Sequence, residues 1–270
     1  KTSISSISDL RNGMRDITII LQITSWEERT FTSEDGMERV VRSGDVMDPT
    51  GRCRLTAWCD FNPKVGDYIQ INSARAQFWQ GSPDLVVDEL EQITNLSSPP
   101  WDDIDPSNHW VEVDIDSLSN GGSRRGISVS GTIVSVRKDS GIIYRCTKCR
   151  RVLRDDACSE HGMVEGNEDI RLRFVLDNGV SNASLLLSKE PSELFLQKKS
   201  DEIKSQISSL GPDGFINHLR NSLLSKKVNI KGRALIDAQG TMILAEEMQL
   251  LQIPVKDEAL RIMNKWGVEL

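Results

Sequence analysis

The chain has 270 residues, of which 38% are hydrophobic and 27% charged, and a net charge of −7. That length suggests two domains, the composition is that of an ordinary globular chain, and no apolar run approaches the roughly 18 residues that read as a membrane span. An acidic balance argues against a nucleic-acid partner, although the charge lining a groove counts for more than the sum. Lys1 rather than Met opens the chain and no signal peptide is visible, which suggests a fragment. Five cysteines, three of them clustered, fit a reducing compartment.

Residues 10 to 95 read as short strands and turns. Met14 to Phe31 is rich in β-branched and aromatic residues, and MERVVRSGDVMD follows as a second strand. The turn Asp48-Pro49-Thr50-Gly51 leads into RCRLTAWCD, which alternates. Arg52, Arg54, Thr56 and Trp58 share one face; Cys53, Leu55, Ala57 and Cys59 share the other and are expected in the core as small hydrophobes. DYIQINSARAQFW and LVVDELEQI supply two more strands, hinged at Gln80-Gly81-Ser82-Pro83. Five strands with Gly/Pro turns predict a small barrel.

Residues 99 to 122 carry Pro99, Pro100 and Pro106, with Asp102, Asp103, Asp105, Glu112, Asp114 and Asp116 and no compensating Lys or Arg. This predicts a linker that is solvated, or that stays off a nucleic-acid groove or docks a partner through Trp101 and Trp110. Beyond it the pattern repeats. GISVSGTIVSVRK, then DIRLRFVLDNG and SNASLLLS around Asp177-Asn178-Gly179, then KKVNIKGRALID and TMILAEEMQLL predict five more strands. Pro191 to Leu224 reads as helix, broken near Gly211-Pro212, and the tail after Pro254 places Leu260, Met263 and Trp266 at helical spacing. One five-strand pattern thus occurs twice. The predicted fold is mainly β: two tandem OB-fold (five-stranded Greek-key) barrels, at 1–98 and 123–253, joined by the 99–122 linker and followed by a C-terminal helix at 254–270.

The second barrel is interrupted by Cys146-x2-Cys149-x8-Cys158-x2-His161. Two close pairs that can bend round one ion give the tetrahedral Cys3His set of a structural Zn²⁺ site, here a ribbon at 144–165. A redox Cys-x-x-Cys pair does not require the second pair, and four protein ligands leave no open position for catalysis. One structural Zn²⁺ is therefore the expected cofactor.

Single-stranded nucleic acid is held by cations on phosphates and by aromatic faces under bases. Aromatics make up only 5% of the chain, yet they interleave with arginine: Arg52, Arg54 and Trp58 in one strand, Phe78 and Trp79 in the next hairpin, Arg39 and Arg42 in the second strand. Trp58 shares parity with two arginines and is expected outside. Trp79 shares parity with Ile69 and Ile71, which look inward, so only a bulge would turn it out.

GMRDITIILQITSWEERTF, the Asp48–Gly51 turn, CRLTAW and ARAQFWQGSPDLVV together resemble an OB fold of the replication protein A family, single-stranded-DNA-binding proteins of archaea and eukaryotes. YRCTKC, CSEHG and LRFVLDNGVSNASLLL resemble that family's zinc-bearing OB fold. The likeness covers most of residues 10–253, and the archaeal large-subunit form fits best. It implies bases stacked on Trp58 and Trp79, with Phe78 beside them, and phosphates on Arg29 and Arg54, then Arg52 and Arg75. The family's third-strand ring falls at Leu186 in the second barrel, so that barrel lacks it unless Phe174, Tyr144, Arg171, Arg173 or Arg233 substitutes. The resemblance further implies a role in DNA replication, repair and recombination, in the cytoplasm and nucleoid of an archaeon or the nucleus of a eukaryote. Single-stranded DNA is the expected partner, with other subunits or a second copy engaged through the C-terminal helix, and no membrane. No nucleophile–base pair, phosphate-binding glycine loop or carboxylate cluster stands out, so no enzyme is expected; His109 lies in the linker and His218 beside Arg220 in the helical stretch. Two other readings are a protein-binding OB scaffold and an RNA-binding OB module.

Overall fold

The computed structural model describes residues 4–33, 36–79, 81–102, 104–120, 122–252 and 254–267; Gln80 of the expected hairpin turn and Asp103 of the acidic stretch lie outside them. The first half contains β1 (Ile17–Ile23), β2 (Glu27–Thr32), β3 (Glu38–Asp48), β4 (Gly51–Ala57), β5 (Tyr68–Trp79), β6 (Ser82–Val87) and β7 (Ile93–Leu96). β1 pairs with β3, β3 with β4, β4 with β6, β6 with β5, and β5 back with β1. That closes a five-membered ring, antiparallel except where β4 meets β6. β2 folds back on β3 as a hairpin arm outside the ring. β3 bends round the barrel where Ser25 and Trp26 cross it: a Cβ on Gly44 would lie 1.9 Å from the Ser25 carbonyl oxygen, so only glycine fits.

The second half contains β8 (Val111–Glu112), α1 (Ile115–Asn120), β9 (Arg124–Val136), β10 (Gly141–Cys146), β11 (Ala157–Cys158), β12 (Gly162–Met163), β13 (Gly166–Asp177) and β14 (Asn182–Leu187), then α2 (Lys189–Leu196), α3 (Ser200–Leu223), β15 (Lys227–Asp237), β16 (Gly240–Leu250) and α4 (Val255–Lys265). β9, β13, β14, β16 and β15 close a ring in the same order, again with one parallel step, β14 against β16. The fold is two tandem OB barrels with a helix after the second. Ile203, Ile207, Phe215, Ile216, Leu219 and Leu223 from α3 join the buried core of the second ring, and Gly211, at φ 73°, breaks that helix just before Pro212. No described helix is long and apolar enough to cross a membrane.

Four expectations change. Met14 to Phe31 is not one strand: β1 stops at Ile23 and β2 begins at Glu27. LVVDELEQI is not one strand: β6 stops at Val87, a 3-10 turn occupies Leu90–Gln92, and β7 begins at Ile93. The Gln92 side chain fixes the break by accepting the N–H groups of Asp88 and Glu89. The acidic stretch is not a free linker along its whole length. β8 pairs with β9, and Ile115 and Leu118 of α1 are fully buried in the second core. Its tryptophans face inward partners: Trp101 meets Tyr68 edge-on at 6.5 Å, and Trp110 lies between Arg52, 5.4 Å away, and Lys231, 5.5 Å away. Cys53 is buried as expected, but Cys59 lies beyond the end of β4 and is only half-buried against the core. Burial pushes both thiols up, as inert core cysteines require.

The barrels share one seam. β4 and β9 pair at Arg52 and Arg125, so the outer sheet surface of the first ring runs on into the second.

Candidate functional site

Trp58 follows the last residue of β4 and its backbone N–H donates to Val87, 3.0 Å away. Its ring is 44% exposed and meets Phe31, 40% exposed, edge to face at 6.2 Å. Phe31 stands on β2 opposite Arg39. The sequence stretch Trp26–Phe31 puts Phe31 beside Arg29, and the structure sets it on β2, whose every residue is exposed.

Trp79 is 74% exposed, and the bulge it needs is present. Ile71 pairs with Ile19 but Ala74 pairs with Ile17, so three steps on β5 face two on β1. Ser73 is the extra residue, in the left-handed region at φ 55°. Before it Ile69 and Ile71 are buried; after it Ala74 and Ala76 are. The switch turns Arg75, Gln77 and Trp79 outward. The same switch moves Phe78 to the inner parity, where it packs half-buried on the core, so it is no second stacking face. Trp79 pairs with Ser82 at the start of β6, while Trp58 lies past the other end of β4, one step beyond the Ala57–Val87 pair. The two rings are therefore separated by about 20 Å of strand, at about 3.3 Å per residue, with Arg54 between them.

The arginines divide. Arg29 pairs with Glu27 at 2.8 Å, and Arg54 reaches the same carboxylate at 3.8 Å while donating to the Ser43 hydroxyl. Arg29 stays largely accessible and Arg54 partly so. Arg39 is exposed, and Arg75 is bound to Asp88 at 2.7 Å. Arg42 departs from expectation: its side chain is only 16% exposed, held by Glu28 and Asp60 at 2.9 Å each and by the Cys59 carbonyl. Arg52 departs too, donating to the carbonyls of Pro106 and His109 at 2.7 and 2.9 Å. These two brace the protein rather than face an open groove. Thr56 donates to both oxygens of Asp84, whose carboxyl burial pushes up.

In the second barrel β14 ends at Leu187 against Ala245, as β4 ends at Ala57 against Val87. The position matching Trp58 is therefore Ser188, not Leu186. Phe174 is fully buried, and Arg171 and Arg173 are both tied to Asp139 at 2.7 Å. Tyr144 is 47% exposed. No row of rings like that of the first barrel forms among the described residues.

The Cys/His cluster sits at the tip of the β10–β13 hairpin, beyond the pair Cys146–Gly166. Its four ligand atoms lie within 4.8 Å of one another. Cys149 Sγ is 3.5 Å from Cys158 Sγ, and His161 Nδ1 is 3.6 Å from the sulfurs of both Cys146 and Cys158. Zn–S bonds of about 2.3 Å in a tetrahedron place sulfurs about 3.8 Å apart, so the set fits. The N–H groups of Lys148 and Glu160 point at the sulfurs of Cys146 and Cys158. The Glu160 N–H, with His161 alongside, holds the Cys158 thiol down to about 6. The cluster can hold a metal ion.

No family model matches the chain. A curated relative, replication factor A of Methanothermobacter thermautotrophicus, is 22% identical over an alignment that covers 91% of this chain and 32% of the relative. The chain resembles replication protein A. It spans about a third of that relative's length. Among solved structures, a replication protein A heterotrimer bound to single-stranded DNA aligns over 97% of this chain and 71% of its own, at 11% identity and a TM-score of 0.40. The second OB-fold domain of replication protein A from Methanococcus maripaludis covers 36% of this chain and 98% of its own, at 23% identity and a TM-score of 0.31.

Proposed function

We propose that the chain binds single-stranded DNA without catalysis, as part of a replication protein A-like activity in DNA replication, repair and recombination. The observation that carries this is Trp58: a half-exposed indole backed by Phe31, with Arg54 and Arg29 on the same side. Bases stack on Trp58 and Trp79, and phosphates exchange with Glu27 for the two arginines, giving little sequence readout and marked salt dependence. The first barrel, within residues 1–98, supplies this grip. The second, within 123–253, holds one structural Zn²⁺ on Cys146, Cys149, Cys158 and His161, an ion that closes the ribbon loop and leaves no open position for chemistry. Partners are the DNA strand and other subunits, or a second copy, through α4 and the residue that follows it, where Ile262 and Trp266 are 44% and 63% exposed. The reading places the protein in the cytoplasm and nucleoid of an archaeon.

Titration with fluorescent single strands, duplex and RNA at two salt concentrations tests it. The expected result is preference for single-stranded DNA and weaker binding at the higher salt. Absence of binding favours a protein scaffold, and preference for RNA favours an RNA module; either outcome overturns the reading.

A further inference from the structure

The seam carries a second cationic feature. Arg52 of β4 pairs with Arg125 of β9, and Arg125 pairs with Arg233 of β15. Directly opposed residues in antiparallel ladders project to the same face about 5 Å apart. Three arginines from two barrels thus start from one row of ladder positions. Like charges placed opposite one another are unfavourable, so the row has a cost that the rest of the surface must offset.

The row is built. Arg125 would share the inward parity of Ile127 and Val129, but the ladder slips one residue between Gly232 and Arg233, at Gly126, which is at φ 75°. That slip turns Arg125 outward, where it pairs with Asp45. A Cβ on Gly126 would meet the Arg52 side chain at 3.0 Å, so the glycine makes room for the Arg52 stem. Arg233 is half-buried and makes no hydrogen bond or salt bridge with a described residue. Burial first, and then the neighbouring Arg125 charge, lower its pKa; exposed Glu246 opposes this only in part. Arg52 is engaged by linker carbonyls, and Arg125 is ion-paired with Asp45 and lies within electrostatic reach of Asp84. Arg233 is left as a partly desolvated cation that no anion among the described residues pairs with, Glu246 acting on it only from a distance.

The position suits a polyanion. The line from Trp58 past Arg54 to Trp79 leads toward the seam, because the β5–β6 turn abuts the second barrel: a Cβ on Gly81 would lie 3.2 Å from Leu235. The outer face of β4 also continues onto β9 and β15 there. We propose that Arg125 and Arg233, beside the Arg52 that Trp110 and the linker carbonyls hold in place, form a phosphodiester site at the seam, through which a bound strand passes onto the β9–β15 face of the second barrel. This rests on the single-strand-binding reading. It explains how the second barrel can add grip without a ring at Ser188.

The test compares Arg233→Gln with the unaltered chain on two DNA strands, one of about 6 nucleotides that one barrel can hold and one of about 24 that must cross the seam. Arg233 props up no partner, so the melting temperature is expected to hold or rise. Affinity for the long strand should fall by about three- to tenfold at low salt, and the slope of log K against log salt should lessen by about 0.7. Affinity for the short strand should not change. Arg233→Glu should deepen the loss on the long strand alone. Equal loss on both strands, or no loss on the long one, overturns the seam site while leaving the Trp58 reading intact. If the unaltered chain binds neither strand, both fall.

Discussion

Ser73 decides what Trp79 can do. A single residue at positive φ inverts the facing of everything after it in β5, so an indole that alternation aims at the core stands 74% exposed instead. Ser73→Gly should be neutral or slightly stabilising, because glycine takes that conformation freely. Ser73→Val should cost about 1–2 kcal/mol in chemical denaturation, because a β-branched side chain resists it. Trp58 is the complementary case. Its facing was readable from Arg52 and Arg54; its contact with Phe31, made between separate strands, was not. Trp58→Ala should weaken single-strand binding by about 1–3 kcal/mol with the melting temperature nearly unchanged; a collapse of the fold would mean that the ring was structural. Glu27 occupies Arg29 and Arg54 in the free protein. Glu27→Gln should therefore tighten binding modestly, most visibly at low salt, where a released cation counts for most.

At the scale of elements, periodicity and ligand spacing carried well, while contacts made across the chain did not. β4, the Cys/His hairpin and the α3 break were all legible, because each is set by neighbours in sequence. β8 and α1 were not: Ile115 and Leu118 are two apolar residues in an acidic stretch, too few to show a period, and only the second core gives them meaning. Leu118→Ala should cost about 2–5 kcal/mol of second-barrel stability, which a linker residue would not. The same barrel is tied by charge. Burial works against ionising Asp139, but the Arg173 hydrogen bond and the charges of Arg173 and Arg171 outweigh it and hold its carboxyl below the usual range. A carboxyl lowered on folding lends support that is present above its unfolded value near 3.8 and lost as pH falls through the lower folded one. Acid titration of Asp139→Asn should therefore lack part of the stability loss that the unaltered chain shows below about pH 4.

Across the whole molecule, the net charge of −7 hides an uneven surface. Arginine gathers on the outer face of the first barrel and at the seam, where the strand pairing between barrels brings Arg52, Arg125 and Arg233 into one row from positions 52, 125 and 233. No local pattern could announce that row, since two of its members come from different barrels and the third is turned out by a slip at Gly126. Trp110, between Arg52 and Lys231, clasps the same joint. Trp110→Ala should lower stability by about 1–2 kcal/mol and speed proteolysis within residues 99–110, checked by limited digestion.

The hairpin that bears the Cys/His cluster springs from the same corner of its ring as the β2–β3 arm does in the first barrel, and the chain after Cys146 leaves the ring there, folding back at its neck where Val152 bridges Arg145 and the Leu153 N–H donates to Tyr144. That corner behaves as a socket. Exchanging the ribbon for a short glycine-rich loop, or for a fluorescent reporter, should leave both rings closed, so the ornament can be redesigned while the chassis is kept.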